Sequence, residues 1–222
     1  MVYRGSGRGW LVAVLLMFLA PAASAAVDLS MSGGESRYTV DHEDERVETT
    51  NRRLGINADV RVLRPWLLRL SFGRSWLTES GRALTDDTEL TGQYVGVTVA
   101  RPLHRGDWHR LTGSVGYTRS ELDGDVGDET LEQDWWQLRL GASLTLVPSS
   151  PVAPIAGIGL SEARGRERLS GPNGYSRDFE HRDRVDGHVG ARIRTGARSS
   201  AILIRSHFGA SSGFSVDFSH AF

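Results

Sequence analysis

At residues 54–62 the chain reads Leu-Gly-Ile-Asn-Ala-Asp-Val-Arg-Val, so apolar side chains occupy the even positions and polar side chains or glycine the odd ones. This period of two predicts a β-strand with one apolar and one polar face. Helical geometry would scatter the same apolar groups around the helix axis. The stretch therefore favours a β-sheet with an apolar side and a polar side.

The same alternation recurs along most of the chain, and the connections between the alternating segments fall into two classes. Short connections contain proline or glycine, as at Pro65, Pro102 and Gly196, and long polar connections lie around residues 78–89 and 164–180. Strict alternation of tight turns and long loops is typical of a transmembrane antiparallel β-barrel. The further alternating segments are residues 68–72, 94–99, 111–118, 136–146, 185–194, 202–208 and 214–222, with a less regular one at 152–160, and the other long connections are 41–45 and 121–134.

Alternation alone does not separate a membrane barrel from a soluble barrel or sandwich, because both bury one face of each strand. The positions of the aromatic residues favour the membrane barrel, since they gather near the ends of the apolar faces and predict two interfacial girdles. The tight-turn end has Trp66, Trp108 and Phe222, and the long-loop end has Trp76, Tyr117, Trp136 and Phe214.

The composition is that of an ordinary chain with a balanced charge. Its 222 residues include 26 basic and 27 acidic ones, which argues against general electrostatic binding of nucleic acid. Without cysteine there is no disulfide framework or thiolate nucleophile, and every basic residue is an arginine, so lysine chemistry is excluded. The mean hydropathy is -0.29, and the one long apolar run is about half of the roughly 20 residues that a spanning helix needs.

The N-terminal residues have the pattern of an export signal. Arg4 and Arg8 precede an apolar run at residues 10–20, and Ala23-Ser24-Ala25 supplies the small residues that signal peptidase accepts. The sequence therefore predicts a cleaved signal peptide at residues 1–25 and one mature domain at residues 26–222.

The last segment ends on an aromatic residue and places Phe214, Val216, Phe218 and Phe222 on one face. This segment resembles the C-terminal strand of bacterial outer-membrane β-barrel proteins, without indicating a subfamily. The resemblance implies an assembly signal in these four residues, read by the barrel-assembly machinery. It further implies periplasmic chaperones during export and a monomer surrounded by outer-membrane lipid and lipopolysaccharide.

With a short first segment at residues 27–31, the segments add up to an all-β antiparallel transmembrane barrel of ten strands, with eight strands as the alternative. An even number places both termini on the periplasmic side. Strands of such a barrel need roughly 9–11 residues to cross the bilayer, which most of the segments reach.

The polar faces of the strands predict a charged barrel interior rich in arginine. A barrel of roughly 8–10 strands is barely wide enough for its own side chains, so we expect a filled lumen and a structural or surface-interaction protein. A narrow anion-preferring channel is the first alternative. The predicted lumen network consists of Arg53, Asp59, Arg61, Arg69, Arg139, Asp186, Arg192, Arg194 and Asp217.

A hydrolase at the mouth of the barrel is the second alternative, although the sequence more strongly favours a protein without enzymatic activity. Asp86 and Asp87 on one long connection, with Asp178, His181 and Asp183 near another, are faintly similar to the acid pairs of the omptin proteases. Their spacing does not reproduce the omptin pattern, and a lipid A modifying enzyme is the other enzyme class considered. The sequence predicts no cofactor and no metal site.

Overall fold

The computed structural model describes residues 27–42, 45–63, 65–80, 88–147, 150–172, 174–195 and 200–221, and these form β-strands joined by short connections. The predicted signal peptide and the candidates Asp86, Asp87 and Phe222 lie outside the described residues. None of the described residues forms a helix of the length and apolarity needed to cross a membrane. The strands are β1 (Val27–His42), β2 (Arg46–Leu63), β3 (Trp66–Ser80), β4 (Glu89–Arg105), β5 (His109–Val126), β6 (Glu129–Leu146), β7 (Val152–Ser170), β8 (Tyr175–His181), β9 (Val185–Arg194), β10 (Ser200–Gly209) and β11 (Ser212–Ala221).

The strands close into one antiparallel barrel that has a different number of strands at its two ends. At the end called here the base, β1 pairs with β11 and β7 pairs with β9, which gives a ring of ten strands. At the other end, called here the head, β8 pairs with both β7 and β1, so the ring has eight strands. The predicted ten-stranded antiparallel barrel is confirmed, and the alternative count of eight describes the head.

The change from ten strands to eight takes place at residues 182–184, between β8 and β9. Below this point, β9 pairs with the short β10–β11 hairpin, whose turn includes Gly209 in a left-handed conformation with φ of 96°. The Ala210 amide donates to the Val185 carbonyl at 2.7 Å, which holds the hairpin tip against the lower end of the break. Above it, the Arg182 amide donates to the Thr39 carbonyl at 3.3 Å and starts the contact with β1.

Several strands extend beyond the predicted segments, and two predicted long loops are wrong. Residues 121–134 belong almost entirely to β5 and β6, which meet in a tight turn at Gly127 and Asp128. Residues 164–180 likewise belong mostly to β7 and β8. Their exposed positions are densely charged, and this composition conceals the alternation of the inward-facing residues Leu122, Leu131 and Leu169.

The two faces of the barrel wall change character between base and head. In the base the outward-facing side chains are large and apolar, with Ile56, Leu140 and Ile158 each more than half exposed. In the head the outward positions are charged, as at Glu132 and Arg166. The inward-facing residues change in the opposite sense, from polar in the base to apolar in the head.

One row of inward-facing residues, which combines small and large side chains, crosses the strands from the base into the head. The row starts at Ser32 on β1, passes to the paired residue on each neighbouring strand in turn, and returns to β1 at His42. His42 lies ten residues after Ser32, and this offset is the stagger of the strands in the eight-stranded ring. Small residues leave room along this row for the rings of Tyr94, Trp135 and Phe179. The row between the two β1 residues is Gly55, Gly73, Tyr94, Ser120, Trp135, Gly165 and Phe179.

The contact of Gly73 with the Tyr94 ring gives a test of this packing. A Cβ atom at residue 73 would lie 2.7 Å from both the Gly55 Cα and the Tyr94 Cε1, so we expect Gly73→Ala to lower the free energy of unfolding by about 1–3 kcal/mol. A Cβ atom at Gly33 would lie 3.7 Å from the nearest atom, so Gly33→Ala is the control. Urea unfolding in detergent, followed by tryptophan fluorescence, measures both; equal stability of the two variants would contradict the packing described.

Candidate functional site

Ion pairs between neighbouring strands occupy the interior of the base. The Arg69 guanidinium donates two hydrogen bonds to the Asp59 carboxylate, at 2.6 and 2.8 Å. Arg205 pairs with Asp217 at 2.5 Å across β10 and β11. Charge-assisted bonds of this kind satisfy polar groups that are shielded from water, and they fix the side chains that fill the lumen.

Other residues of the predicted lumen network contribute in different ways. Arg139 pairs with the buried Asp186 across the interior, between β6 and β9. Arg53 lies under the head, where its guanidinium is 5.1 Å from the centroid of the Tyr94 ring and Nη2 is 3.5 Å from the Ser120 hydroxyl. Both arginines thus cross the space that an open pore would need.

Three predicted members of the network lie at the exposed rim of the base. Arg61 is exposed and its guanidinium is 3.7 Å from the Asp28 carboxylate. Arg192 and Arg194 are also exposed, and Arg194 donates to the Ser150 carbonyl at 2.7 Å. The structure therefore brings together the inner pairs but leaves these three arginines near the turns.

A serine–histidine contact in the base was missed by the sequence reasoning. The Ser215 hydroxyl lies 3.0 Å from His207 Nε2, across the β10–β11 pairing. A serine next to a histidine is the arrangement used by hydrolases, but here it lies in the filled interior beside the Arg205–Asp217 pair. The register between two strands, which the sequence does not specify, creates this contact.

An apolar core closes the interior of the head. Its members come from β1 and from β3 to β8, and several of them, including Leu77, Leu90 and Leu131, are almost completely inaccessible to solvent. Burial of these side chains stabilises the head in the same way as a soluble barrel is stabilised. The core consists of Val40, Leu77, Leu90, Leu122, Leu131, Trp135, Leu169 and Phe179.

A buried polar cluster lies within this apolar core. The Gln133 amide nitrogen donates to Glu79 at 2.6 Å and to Glu167 at 2.8 Å, so one amide bridges two carboxylates. Glu167 also accepts a hydrogen bond of 2.6 Å from the Tyr175 hydroxyl and one of 2.9 Å from Arg177. The sequence alone does not indicate this cluster, because its members are far apart in the chain and lie among charged residues that face water.

The structure does not bring the described catalytic candidates together. Asp178 points outward from β8 and pairs with Arg166 at 2.9 Å, whereas His181 has the opposite parity on the same strand and points inward. Asp183 is exposed in the break between β8 and β9. No acid–histidine pair of the predicted kind forms among these three residues.

His181 instead packs inside the head. Its ring stacks on the Tyr38 ring with centroids 4.3 Å apart. Burial, and secondarily the positive charge of Arg53, lower the pKa of His181 to about 4. Burial likewise raises the pKa of Tyr38 to about 12, so both rings are uncharged at neutral pH.

The outer surface of the head has an open groove of about 1070 Å³. Outward-facing residues of β5 to β8 form most of its lining. They include the Arg119–Asp134 pair at 2.7 Å and the Arg166–Asp178 pair at 2.9 Å, beside the Trp136 ring. The groove therefore offers both signs of charge next to an aromatic surface.

The low pKa of His181 predicts a loss of stability in acid. Between about pH 6.5 and pH 4 the unfolded chain binds a proton at His181 that the folded head excludes, so the free energy of unfolding falls as the pH is lowered. After allowance for partial exposure, we expect this residue to contribute about 2 kcal/mol of the loss. His181→Phe, which keeps the stacking on Tyr38, is expected to remove that part. Urea unfolding at pH 7 and pH 4.5 compares the two chains, and an equal acid loss in both would contradict the assignment.

The chain matches no protein-family model and no curated protein. Its fold is similar to several solved structures at low sequence identity. The translocator domain of the autotransporter NalP from Neisseria meningitidis is 12% identical, with 96% of each chain covered and a TM-score of 0.48. The outer membrane protein OprG from Pseudomonas aeruginosa is 10% identical, with 89% of this chain and 96% of OprG covered and a TM-score of 0.49.

The outer membrane protease OmpT from Escherichia coli is also similar, at 10% identity, with 89% of this chain and 93% of OmpT covered and a TM-score of 0.46. At this level of similarity the comparisons assign no activity to the chain. The resemblance to outer-membrane β-barrel proteins is confirmed at the level of the fold: the described chain is an all-strand antiparallel barrel.

Proposed function

We propose that the chain is an outer-membrane β-barrel protein with a closed lumen, whose base spans the membrane and whose head makes surface interactions outside it. The observation that carries this proposal is the reversal of the barrel wall between base and head. A wall that is apolar outside and polar inside suits lipid, and a wall with the opposite arrangement suits water.

The base has the dimensions and surface of a membrane span. The strands β9, β10 and β11 each have 10 residues, which matches the roughly 9–11 that a tilted strand needs to cross a bilayer. Exposed apolar side chains cover its outer surface, and Trp66 and Trp108 are exposed near its tight turns, as an interfacial girdle requires. Such a continuous apolar band would be unfavourable in water.

The orientation follows from the ends of the described chain. Asp28 near the start pairs in register with Ala221 near the end, so both lie in the base. In outer-membrane barrels the termini face the periplasm. This arrangement supports a head that projects from the cell surface. A location in the outer membrane and removal of a signal peptide at residues 1–25 complete the proposal.

The filled interior supports a structural or surface-interaction role over an anion channel. Arg139 and Asp186 cross the lumen of the base, and the apolar core blocks the head above them. A conducting pore needs a continuous polar path, and buried Leu77 and Leu131 interrupt it. The three described candidates of the hydrolase alternative, Asp178, His181 and Asp183, form no acid–histidine pair that would support it.

The partners proposed for this protein follow from the positions of its surfaces. Lipid and lipopolysaccharide would surround the apolar band. Phe214, Val216 and Phe218 are exposed on the outer face of β11, as recognition by the barrel-assembly machinery would require, and periplasmic chaperones would deliver the exported chain. The charged groove on the head is the surface proposed for interactions outside the cell, and the protein is proposed to act as a monomer.

Two outward-facing positions on β6 test the placement in the membrane. Leu140 is 55% exposed within the apolar band, and Glu132 is exposed on the head of the same strand. We expect Leu140→Arg to make folding into lipid vesicles less favourable by about 2–4 kcal/mol. Glu132→Arg is expected to change the free energy of folding little. Reversible folding into vesicles in urea measures both variants. Equal tolerance at the two positions would contradict the membrane placement of the base.

Electrical recording tests the closed lumen. The purified full chain in planar bilayers is expected to give no conductance steps, because side chains fill the base and an apolar core fills the head. A porin inserted in the same chamber serves as the positive control. Stable steps with anion preference would overturn the closed-lumen proposal in favour of the channel.

A further inference from the structure

Three potential metal ligands meet inside the head, from three different strands. His42 on β1, Glu79 on β3 and Glu167 on β7 each offer one ligand atom, and these atoms all lie within 4.8 Å of one another. The residues are 6%, 3% and 0% exposed, respectively. An imidazole and two carboxylates enclosed in an apolar core form a donor set that proteins use for divalent transition metals.

The electrostatics of the two carboxylates favour a cation between them. Glu79 and Glu167 are close enough to share the amide nitrogen of Gln133. Two ionised carboxylates at this separation repel each other in a medium that water does not screen. The guanidinium of Arg177 approaches Glu167 from the side of Tyr175, and a bound divalent ion would add positive charge on the side of Glu79.

A second, independent observation is the hydroxyl group of Thr49. Thr49 is 1% exposed, its Oγ1 has no hydrogen-bond partner among the described residues, and it is directly opposite Glu79 in the β2–β3 register. Thr49, Glu79 and Gln133 all line one narrow cavity, which has no room for a water molecule. A buried hydroxyl without a hydrogen-bond partner is costly, and that of Thr49 is placed beside the Glu79 carboxylate, where a bound cation would attract its oxygen.

We propose that His42, Glu79 and Glu167 bind a divalent transition-metal ion such as Zn²⁺ inside the head. Zinc bonds of about 2.0–2.2 Å require the three ligand atoms to approach one another by roughly 1 Å. The ion ties β1, β3 and β7 together across the interior and stabilises the eight-stranded ring. The apolar enclosure assigns it a structural role, and the inference does not depend on the membrane placement or the function proposed above.

The test uses the full chain without an affinity tag, in detergent, after removal of metal with a chelator. Zn²⁺ alone is added, and we expect one tightly held ion per chain after dialysis, together with a higher urea midpoint for unfolding. His42→Gln and Glu79→Gln are expected to weaken Zn²⁺ binding at least tenfold and to abolish the shift in midpoint. Glu132→Gln is the matched control, because it removes an exposed carboxylate from the outer face of the head and is expected to bind Zn²⁺ like the parent chain.

Each outcome of this experiment decides for or against the site. Zn²⁺ binding that survives in both His42→Gln and Glu79→Gln is binding at the surface and overturns the proposal, as does a parent chain that retains no ion. An equal effect of Ca²⁺ or Mg²⁺ overturns the assignment to a transition metal. If a variant does not fold, X-ray absorption of the Zn²⁺-loaded parent chain decides, since the proposal requires imidazole scattering from one histidine and otherwise oxygen ligands.

Discussion

The parity of each β-strand is the constraint on which the rest of the structure depends. Side chains alternate strictly between inside and outside, and one strand cannot exchange its faces without a bulge or a break. The long strands of this barrel nevertheless pass from one environment to another. They do so by changing composition at constant parity: on β6 the inward residues change from Arg139 to Trp135 and Leu131, while the outward ones change from Leu140 to Glu132.

The break between β8 and β9 lets one barrel have two circumferences. A wide ring in the base has room for paired arginines and acids, and a narrower ring in the head allows apolar side chains to meet at the centre. The short β10–β11 hairpin makes the difference, because it ends where the head begins and allows β8 to contact β1 directly. The ion pairs and the apolar core therefore occupy separate levels of the barrel, and neither has to accommodate the other.

The sequence predicted the base well and the head poorly, for one physical reason. In the base the apolar residues face outward and alternate with small or polar ones, so residues 54–62 and 214–222 show a clear period of two. In the head, arginine and acidic residues occupy the outward positions of β5 to β8, and their density suggested loops although Leu122 and Leu131 keep the same period.

Most contacts that depend on register could not be predicted. Ser215 and His207 meet because of the alignment of β10 with β11, and the predicted partnership of Asp178 with His181 fails because the two residues have opposite parity on β8. The cluster of His42, Glu79 and Glu167 brings together residues from β1, β3 and β7 that no spacing in the sequence relates. Lumen pairs such as Asp59 with Arg69 could partly be predicted from the sequence, because a tight turn between neighbouring strands nearly fixes their register.

The closure of the head determines where any specific recognition can occur. A buried polar cluster with an apolar core around it is shielded from large ligands, so its contribution is to the rigidity of the head. Rigid β-strands then hold the charged groups of the outer groove in fixed positions, as the Arg119–Asp134 and Arg166–Asp178 ion pairs illustrate. A partner would gain affinity from this preorganised surface, because little conformational entropy is lost when it binds to groups that are already ordered. The outer face of β5 to β8 is therefore the part of this barrel on which selection for a binding partner can act without disturbing the fold.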